Sequence, residues 1–184
     1  RIYKLATLLL GMRPDEHEFK VMGLAAYAKK SHVEKAFKVI EDICVVEGMR
    51  IVSKERPEDL YTYLKKCWES HRFDNIAGAV QELTEQIATK LVRNIAIQTG
   101  VSRFVLSGGI AMNVKMNKAI SEIDEVREIF VCGSGGDESL SIGGCYLLNE
   151  KNVNNKYLKN LYLGYDINDE IQNFDVHSLS DCFD

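Results

Sequence analysis

The chain has 184 residues, of which 46% are hydrophobic and 27% charged, with a formal net charge of −4 at pH 7. This length predicts one domain or slightly more, and the hydrophobic fraction is enough for a packed core. The acidic balance gives no electrostatic reason to bind nucleic acid. The sequence also contains neither a membrane-spanning apolar run nor a signal-peptide pattern. Its five cysteines are scattered without a CxxC pair, as reduced cytosolic thiols are, so we expect a cytoplasmic protein.

Hydrophobic periodicity predicts several helices in the first 70 residues. The predicted spans are 3–10, 21–27, 33–47 and 58–69, with 15–20 as a polar loop and 49–53 as a short strand. Gly11 and Pro14 end the first helix, Gly48 ends the third, and Pro57 opens the fourth. The first half is therefore predicted to be mainly helical.

The second half alternates between helices and short strands. A long helix is predicted over 75–99, with Asp74 as its N-cap and Gly100 as its C-terminal stop. Strands at 104–106 and 129–132 are each followed by a helix, at 114–123 and 138–149. This alternation predicts a parallel strand pair and an α/β layer architecture.

Each of the two predicted strands runs into a pair of glycines. Gly108-Gly109 follows the first strand, and Gly135-Gly136 follows the second. Because glycine has no Cβ, its backbone can approach a bound phosphate closely, and a helix N-terminus favours an anion. The carboxyl ends of parallel strands share one edge of a sheet, where α/β proteins bind ligands. We therefore expect a nucleotide site at this edge.

The same pattern has a structural alternative. The sequence is neither the GxGxxG dinucleotide fingerprint nor the GxxxxGK[ST] phosphate loop, and each glycine pair is also compatible with an ordinary tight turn. Asn113 either caps the helix that follows it or bonds a sugar hydroxyl. Asp137 is either a helix cap or a metal ligand, and Lys20 is either a solvated lysine or a functional one.

Three motifs resemble those of a known family. Residues 18–27 (EFKVMGLAAY) resemble its E-x-K-V-M-G-L-A-P-Y segment, and residues 106–113 (LSGGIAMN) resemble its (L/A)-x-G-G-V-A-L-N. Residues 135–137 (GGD), with Gly143-Gly144 in the next helix, resemble its A-G-D-x-G-x-A-x-G-A. Residues 162–164 (YLG) match a later motif. The chain is thus similar to O-carbamoyltransferases of the nodulation-protein and antibiotic-tailoring type.

The resemblance implies a fold and a reaction. The fold is an actin-like, ribonuclease-H-like ATPase lobe, in which a mixed sheet is flanked by helices. The reaction forms carbamoyl-adenylate from carbamoyl phosphate and ATP, and then passes the carbamoyl group to an acceptor hydroxyl of a small molecule. Residues 1–150 correspond to the second lobe of the ATPase domain, and 151–184 to a linker and the start of a C-terminal region. By this resemblance the chain is a fragment, inactive without the other lobe and the C-terminal domain.

The resemblance also implies roles for single residues. Gly108, Gly109 and Asn113 line the adenosine side of the ATP site, and Gly135 and Gly136 form its second glycine turn. These five positions are the expected nucleotide-binding residues.

Two further positions are implied to take part in the chemistry. Asp137 matches a ligand of a divalent metal, iron or magnesium, held together with histidines from the other lobe. Lys20 is the expected catalytic residue, because its ammonium can pair with a phosphate or carbamoyl oxygen. Glu138-Ser139 depart from the family pattern and put an extra carboxylate beside the expected metal position.

Other functions remain open for this fold. A tRNA threonylcarbamoyl-transfer protein or a sugar kinase shares the predicted architecture. A non-catalytic nucleotide-binding lobe is a third reading, supported only by the residues that follow Asp137. The acidic balance disfavours a tRNA substrate. The sequence identifies neither the acceptor nor the oligomeric state.

Overall fold

The computed structural model describes residues 1–149. The predicted linker at 152–159, the apolar segment at 160–165 and the proposed C-terminal region 151–184 lie outside the described residues. The helices are α1 Ile2–Leu9, α2 Glu18–Ala25, α3 Lys30–Lys38, α4 Leu60–Trp68, α5 Phe73–Thr99, α6 Val114–Ser121 and α7 Ser139–Leu148. The strands are β1 Val45–Glu47, β2 Arg50–Val52, β3 Arg103–Leu106 and β4 Glu128–Val131, and a 3-10 helix spans Gly109–Met112.

The α/β class and the parallel strand pair are confirmed. Strands β3 and β4 pair in parallel, with Phe104 opposite Ile129 and Leu106 opposite Val131. Strands β1 and β2 form a separate antiparallel pair, so residues 1–149 contain two small sheets where we expected one mixed sheet. Within these residues each sheet has two strands, so helices supply most of the packing surface.

The helix predicted over 33–47 is wrong from residue 39 onward. Helix α3 ends at Lys38, and Val45–Glu47 forms β1, paired with β2 across a turn at Gly48. Gly48 has φ +58, a left-handed conformation that suits glycine and closes a hairpin. The β-branched pair Val45-Val46 favours a strand there, and the pairing with β2 outweighs the helical spacing of the apolar residues. The polar loop predicted over 15–20 is also shorter, because α2 begins at Glu18.

Helix α5 is the long central helix, and its two ends differ in how well they were predicted. Gly100 ends it with φ +73, and its N–H bonds the Ala96 carbonyl, as expected. Asp74 is not the N-cap: the helix begins one residue earlier, at Phe73, after Arg72. The Asp74 carboxylate instead accepts two 3.2 Å hydrogen bonds from the Arg72 guanidinium, and this ion pair holds the pKa of Asp74 below its ordinary value.

Two hydrophobic cores lie along α5. The first packs α1, α3 and α4 against the N-terminal half of α5, and its most buried members include Ala36, Ile40, Leu64 and Val80. The second packs α6 and one face of the β3–β4 pair against the C-terminal half. Helix α5 thus supports the parallel strands and their glycine turns.

Asp59 caps α4, which the sequence analysis did not predict. Its carboxylate accepts hydrogen bonds from the Thr62 hydroxyl and from the Tyr61 N–H, the latter at 3.0 Å. The Thr62 bond is the main reason that the pKa of Asp59 lies below its ordinary value of 3.8. Desolvation opposes this shift, and the Tyr61 N–H reinforces it.

Asp59→Ala is expected to lower the free energy of unfolding at neutral pH, because α4 loses its cap. Since the pKa of Asp59 is lowered on folding, the stabilisation is fully present above 3.8 and is lost as the pH falls through the lower folded value. Urea unfolding of both proteins at about pH 7 and about pH 2 measures this. Asp124→Ala, in an exposed turn, is the control. An equal deficit at both pH values would contradict the prediction.

No helix of residues 1–149 is both long and apolar enough to cross a membrane. The four cysteines of this part of the chain are free thiols. Cys145 is exposed, and the other three are partly buried.

Candidate functional site

The first glycine turn connects β3 to α6 through the 3-10 helix. Gly108 has φ +94, which side-chain-bearing residues rarely adopt, and this explains the glycine after the strand. No atom of the described residues lies within 4 Å of a Cβ built at Gly108 or Gly109. The backbone of this turn therefore has open space on its outer side.

Asn113 ends this turn and caps α6, which confirms one of its two predicted roles. Its side-chain oxygen accepts the Met116 N–H at 3.0 Å, and the residue is only 8% exposed. The same amide forms two hydrogen bonds with Gln81 of α5, at 2.8 and 3.1 Å. The sugar contact expected of Asn113 stays a prediction.

The second glycine turn packs directly on the first. A Cβ built at Gly135 lies 3.2 Å from the Ala111 carbonyl carbon, from the Met112 nitrogen and from the Met112 sulfur. Gly135 is buried, and its N–H points at that sulfur, also at 3.2 Å. A glycine is needed here because a Cβ would press against the backbone of the first turn. The expectation that both turns lie together at one edge is confirmed.

A chain of hydroxyl hydrogen bonds joins the same two turns. Ser139 Oγ donates to the Gly136 carbonyl at 2.8 Å and lies 3.0 Å from Ser107 Oγ. A hydroxyl has one proton, so Ser107 donates to Ser139 and Ser139 donates onward. Ser139, one of the two departures from the family pattern, therefore links the first turn to the second.

Asp137 and Glu138 are both exposed at the start of α7. Helix α7 begins at Ser139 without a side-chain cap, so the capping alternative for Asp137 is wrong. The carboxylate of Glu138 folds back over Gly136, where a built Cβ would collide with its Oε2. Among residues 1–149, no three His, Cys, Asp or Glu side chains are grouped as a metal site requires. The metal-binding prediction for Asp137 stays a prediction.

Lys20 lies on α2 and is exposed, with its ammonium 5.7 Å from the centre of the Phe19 ring. No hydrogen bond or ion pair of residues 1–149 joins it to the glycine turns. Its catalytic role stays a prediction.

Sequence reasoning missed three residues of this cluster, namely Gln81, Ser107 and Ser139. One feature of the sequence weakly indicated that Gln81 is buried, because this residue falls on the apolar side of α5, between Val80 and Leu83. The two serines had no usable signal, because their contact joins residues 32 positions apart.

Within residues 1–149, the β3–β4 pair is covered on only one face. Phe104, Leu106 and Ile129 pack into the second core, whereas Val105 and Phe130 on the other face are 74% and 60% exposed. Helix α7 adds exposed leucines at 140, 147 and 148. Parallel strands are normally buried on both faces. Val105 and Phe130 thus form an apolar face of the pair that stays largely exposed within residues 1–149.

Comparison with known protein families assigns the chain. The family model described as carbamoyltransferase N-terminus matches residues 1–146, which contain both glycine turns. The chain belongs to this carbamoyltransferase N-terminus family. The expected relationship to carbamoyltransferases is confirmed.

Individual relatives are distant and much longer. An uncharacterized protein of Methanocaldococcus jannaschii is 29% identical over 178 residues, which cover 91% of this chain and 33% of that protein. The nodulation protein NolNO of Sinorhizobium fredii is 23% identical over 157 residues, covering 82% of this chain and 23% of NolNO. The nodulation protein NolO of Bradyrhizobium diazoefficiens is 22% identical, covering 83% of this chain and 29% of NolO. The chain thus spans no more than a third of the length of these relatives.

Proposed function

We propose that this chain is the glycine-turn lobe of a carbamoyltransferase that makes carbamoyl-adenylate. Carbamoyl phosphate is hydrolysed to carbamate and phosphate, and a carbamate oxygen attacks the α-phosphorus of ATP, with pyrophosphate leaving. The acceptor hydroxyl of a small molecule then takes the carbamoyl group, and AMP leaves. The fold is that of an actin-like ATPase lobe, and the reaction takes place in the cytoplasm.

The observation that carries this proposal is the packing of two glycine turns at the ends of two parallel strands. The first turn leaves open space beside Gly108 and Gly109, and the second meets it at Gly135. Backbone N–H groups at such an edge suit a polyphosphate. In this proposal Gly108, Gly109, Gly135 and Gly136 contact ATP, and family membership supplies the carbamoyl chemistry.

Asp137 is proposed as one metal ligand. Its carboxylate is exposed beside the second turn and caps no helix, so it is available to a divalent ion such as magnesium or iron. Because residues 1–149 group no three such ligands, the remaining ligands would come from elsewhere in the polypeptide. When bound, the metal would neutralise charge on the phosphates.

Lys20 is proposed as the catalytic cation, supported by the match of residues 18–27 to the family motif. The exposed apolar face formed by Val105 and Phe130 supports a further part of the proposal. Exposed apolar patches of this kind mark contact surfaces. We assign this one to the remaining lobe and C-terminal domain, and we divide the chain into residues 1–150 of the ATPase lobe and 151–184 of the following region.

ATP–pyrophosphate exchange by the full-length protein tests the proposal. Exchange is expected only when carbamoyl phosphate is present, because carbamoyl-adenylate formation is what makes pyrophosphate release reversible. A folded protein that binds ATP without such exchange would overturn the proposal. Phosphorylation of a sugar hydroxyl would then identify a kinase, and transfer to tRNA a threonylcarbamoyl-transfer protein.

Asp137→Ala in the same assay is expected to reduce exchange about 100-fold or more, because charge on the phosphates is no longer neutralised. Asp124→Ala removes an exposed carboxylate from a turn outside the cluster and serves as the matched control. Undiminished exchange by a folded Asp137→Ala protein would exclude the metal-binding role.

A further inference from the structure

Gln81 is a buried polar residue in the middle of a helix, and all its hydrogen-bonding positions are used. It is 2% exposed. Its Nε2 donates to Glu85 Oε1 at 2.7 Å and to Asn113 Oδ1 at 3.1 Å. Its Oε1 accepts from Asn113 Nδ2 at 2.8 Å and from the Tyr3 hydroxyl at 3.1 Å. Two donors and two acceptor sites exhaust a primary amide.

The neighbours fix the orientation of both amides. A carboxylate only accepts, so Glu85 requires the nitrogen of Gln81 on its side. A backbone N–H only donates, so Met116 requires the oxygen of Asn113. The two amides therefore face each other in one arrangement, with each donating to the other.

Tyr3 anchors this pair to α1. Burial, followed by the charges of Glu18 and Glu85, raises the pKa of the Tyr3 hydroxyl. The hydroxyl therefore remains protonated and donates to Gln81 throughout the physiological pH range. Helices α1 and α5 thus both support the oxygen that faces Asn113.

On the other side, Asn113 belongs to the first glycine turn. Its backbone nitrogen donates to the Ile110 carbonyl at 3.0 Å, and its own carbonyl accepts from Asn117 at 3.0 Å. The Asn117 amide donates to the Ala111 carbonyl at 2.7 Å. A shift of Asn113 would therefore move the turn that starts at Gly108.

We propose that Gln81 is a positioning residue for the nucleotide site, which holds the turn from Gly108 to Asn113 through its paired amide with Asn113. Three of the four hydrogen-bonding positions of the Asn113 amide are occupied, and one N–H remains as a donor for a ligand. Gln81 sets the direction of that N–H. The expected loss of activity rests on the proposed ATP-dependent function, whereas the positioning of the turn by Gln81 does not.

Gln81→Leu in the full-length protein tests the proposal, because leucine is of similar size and forms none of the four hydrogen bonds. The value of kcat/KM for ATP is expected to fall about 10- to 100-fold, with little change in the KM for carbamoyl phosphate. General destabilisation would lower kcat only in proportion to the folded fraction, which circular dichroism at the assay temperature measures, and would leave the KM for both substrates unchanged. Gln86→Leu makes the same change at an exposed position of α5 and is the control.

A double-mutant cycle tests whether Gln81 affects ATP turnover through Asn113. If Gln81 acts through Asn113, adding Gln81→Leu to an Asn113→Ala protein lowers kcat/KM no further. Additive losses would overturn the proposed coupling. Gln81→Met replaces the leucine variant should that protein fail to fold.

Hydrogen exchange separates failure of this inference from failure of the proposed function. Amides of residues 108–116 are expected to exchange faster in Gln81→Leu than in the wild type, without any ligand, while those of Leu60–Trp68 are unchanged. Unchanged exchange in 108–116 would overturn the positioning role even in an active enzyme. Faster exchange in a protein that shows no carbamoyl-phosphate-dependent activity would uphold the positioning role and reject only the function.

Discussion

Gly135→Val is expected to reduce carbamoyl-phosphate-dependent ATP–pyrophosphate exchange about 100-fold, because it forces the two glycine turns apart. Even the Cβ of an alanine would lie 3.2 Å from backbone atoms of Ala111 and Met112. A backbone neighbour moves only with the rest of its turn. The branched valine side chain adds two more carbons in the same confined place, so Gly135→Ala should have a smaller effect than Gly135→Val.

Gly143→Val is the matched control for this experiment. Gly143 lies in α7, and no atom of the described residues comes within 4 Å of a Cβ built there. Valine is a somewhat better helix residue than glycine, so stability should be unchanged or slightly higher. Close packing within residues 1–149 does not explain the glycines at 143 and 144. Full activity of a folded Gly135→Val protein would show that the contact between the turns does not matter to the reaction.

Trp68→Ala is expected to lower the free energy of unfolding by about 3–5 kcal/mol, the range typical of a large core aromatic. Trp68 is 3% exposed in the first core, beside Leu64 and Ile40. Its indole nitrogen also donates to the Ala36 carbonyl at 3.1 Å. Ala36 lies in the last turn of α3, where helix carbonyls lack a partner within the helix, so Trp68 also serves as a cap.

Trp68→Phe separates the two contributions. Phenylalanine keeps most of the buried ring but leaves the Ala36 carbonyl without the indole donor, which should cost about 1–3 kcal/mol. Phe73→Ala removes an aromatic residue that is 57% exposed and should change stability by less than about 0.5 kcal/mol. Urea unfolding followed by far-ultraviolet circular dichroism measures all three variants. Equal losses for Trp68→Ala and Phe73→Ala would contradict the assignment of the first core.

The parts of the fold that were predicted correctly are those with strong local signals. The strand at 104–106, its glycine turn and the stop of α5 at Gly100 all depend on neighbouring residues, such as a short apolar run or a glycine with positive φ. The end of α3 was predicted incorrectly because its apolar spacing continues through Ile40, Ile43 and Cys44, up to the valines at 45 and 46. Only the partner strand β2 turns those valines into a strand, and that pairing is set by tertiary contact.

The features of the candidate site also divide into those with local sequence signals and those set by tertiary contacts. The sequence by itself determined the positions of the two glycine turns and the family resemblance, and it identified capping as one of two roles for Asn113, because each of these signals lies in a short continuous segment. Tertiary structure alone decided that Gln81 pairs with Asn113 and that Ser107 meets Ser139. It also decided that Asp137 caps no helix. Each such pair brings together residues 32 positions apart, and no local pattern encodes which polar groups will be buried together.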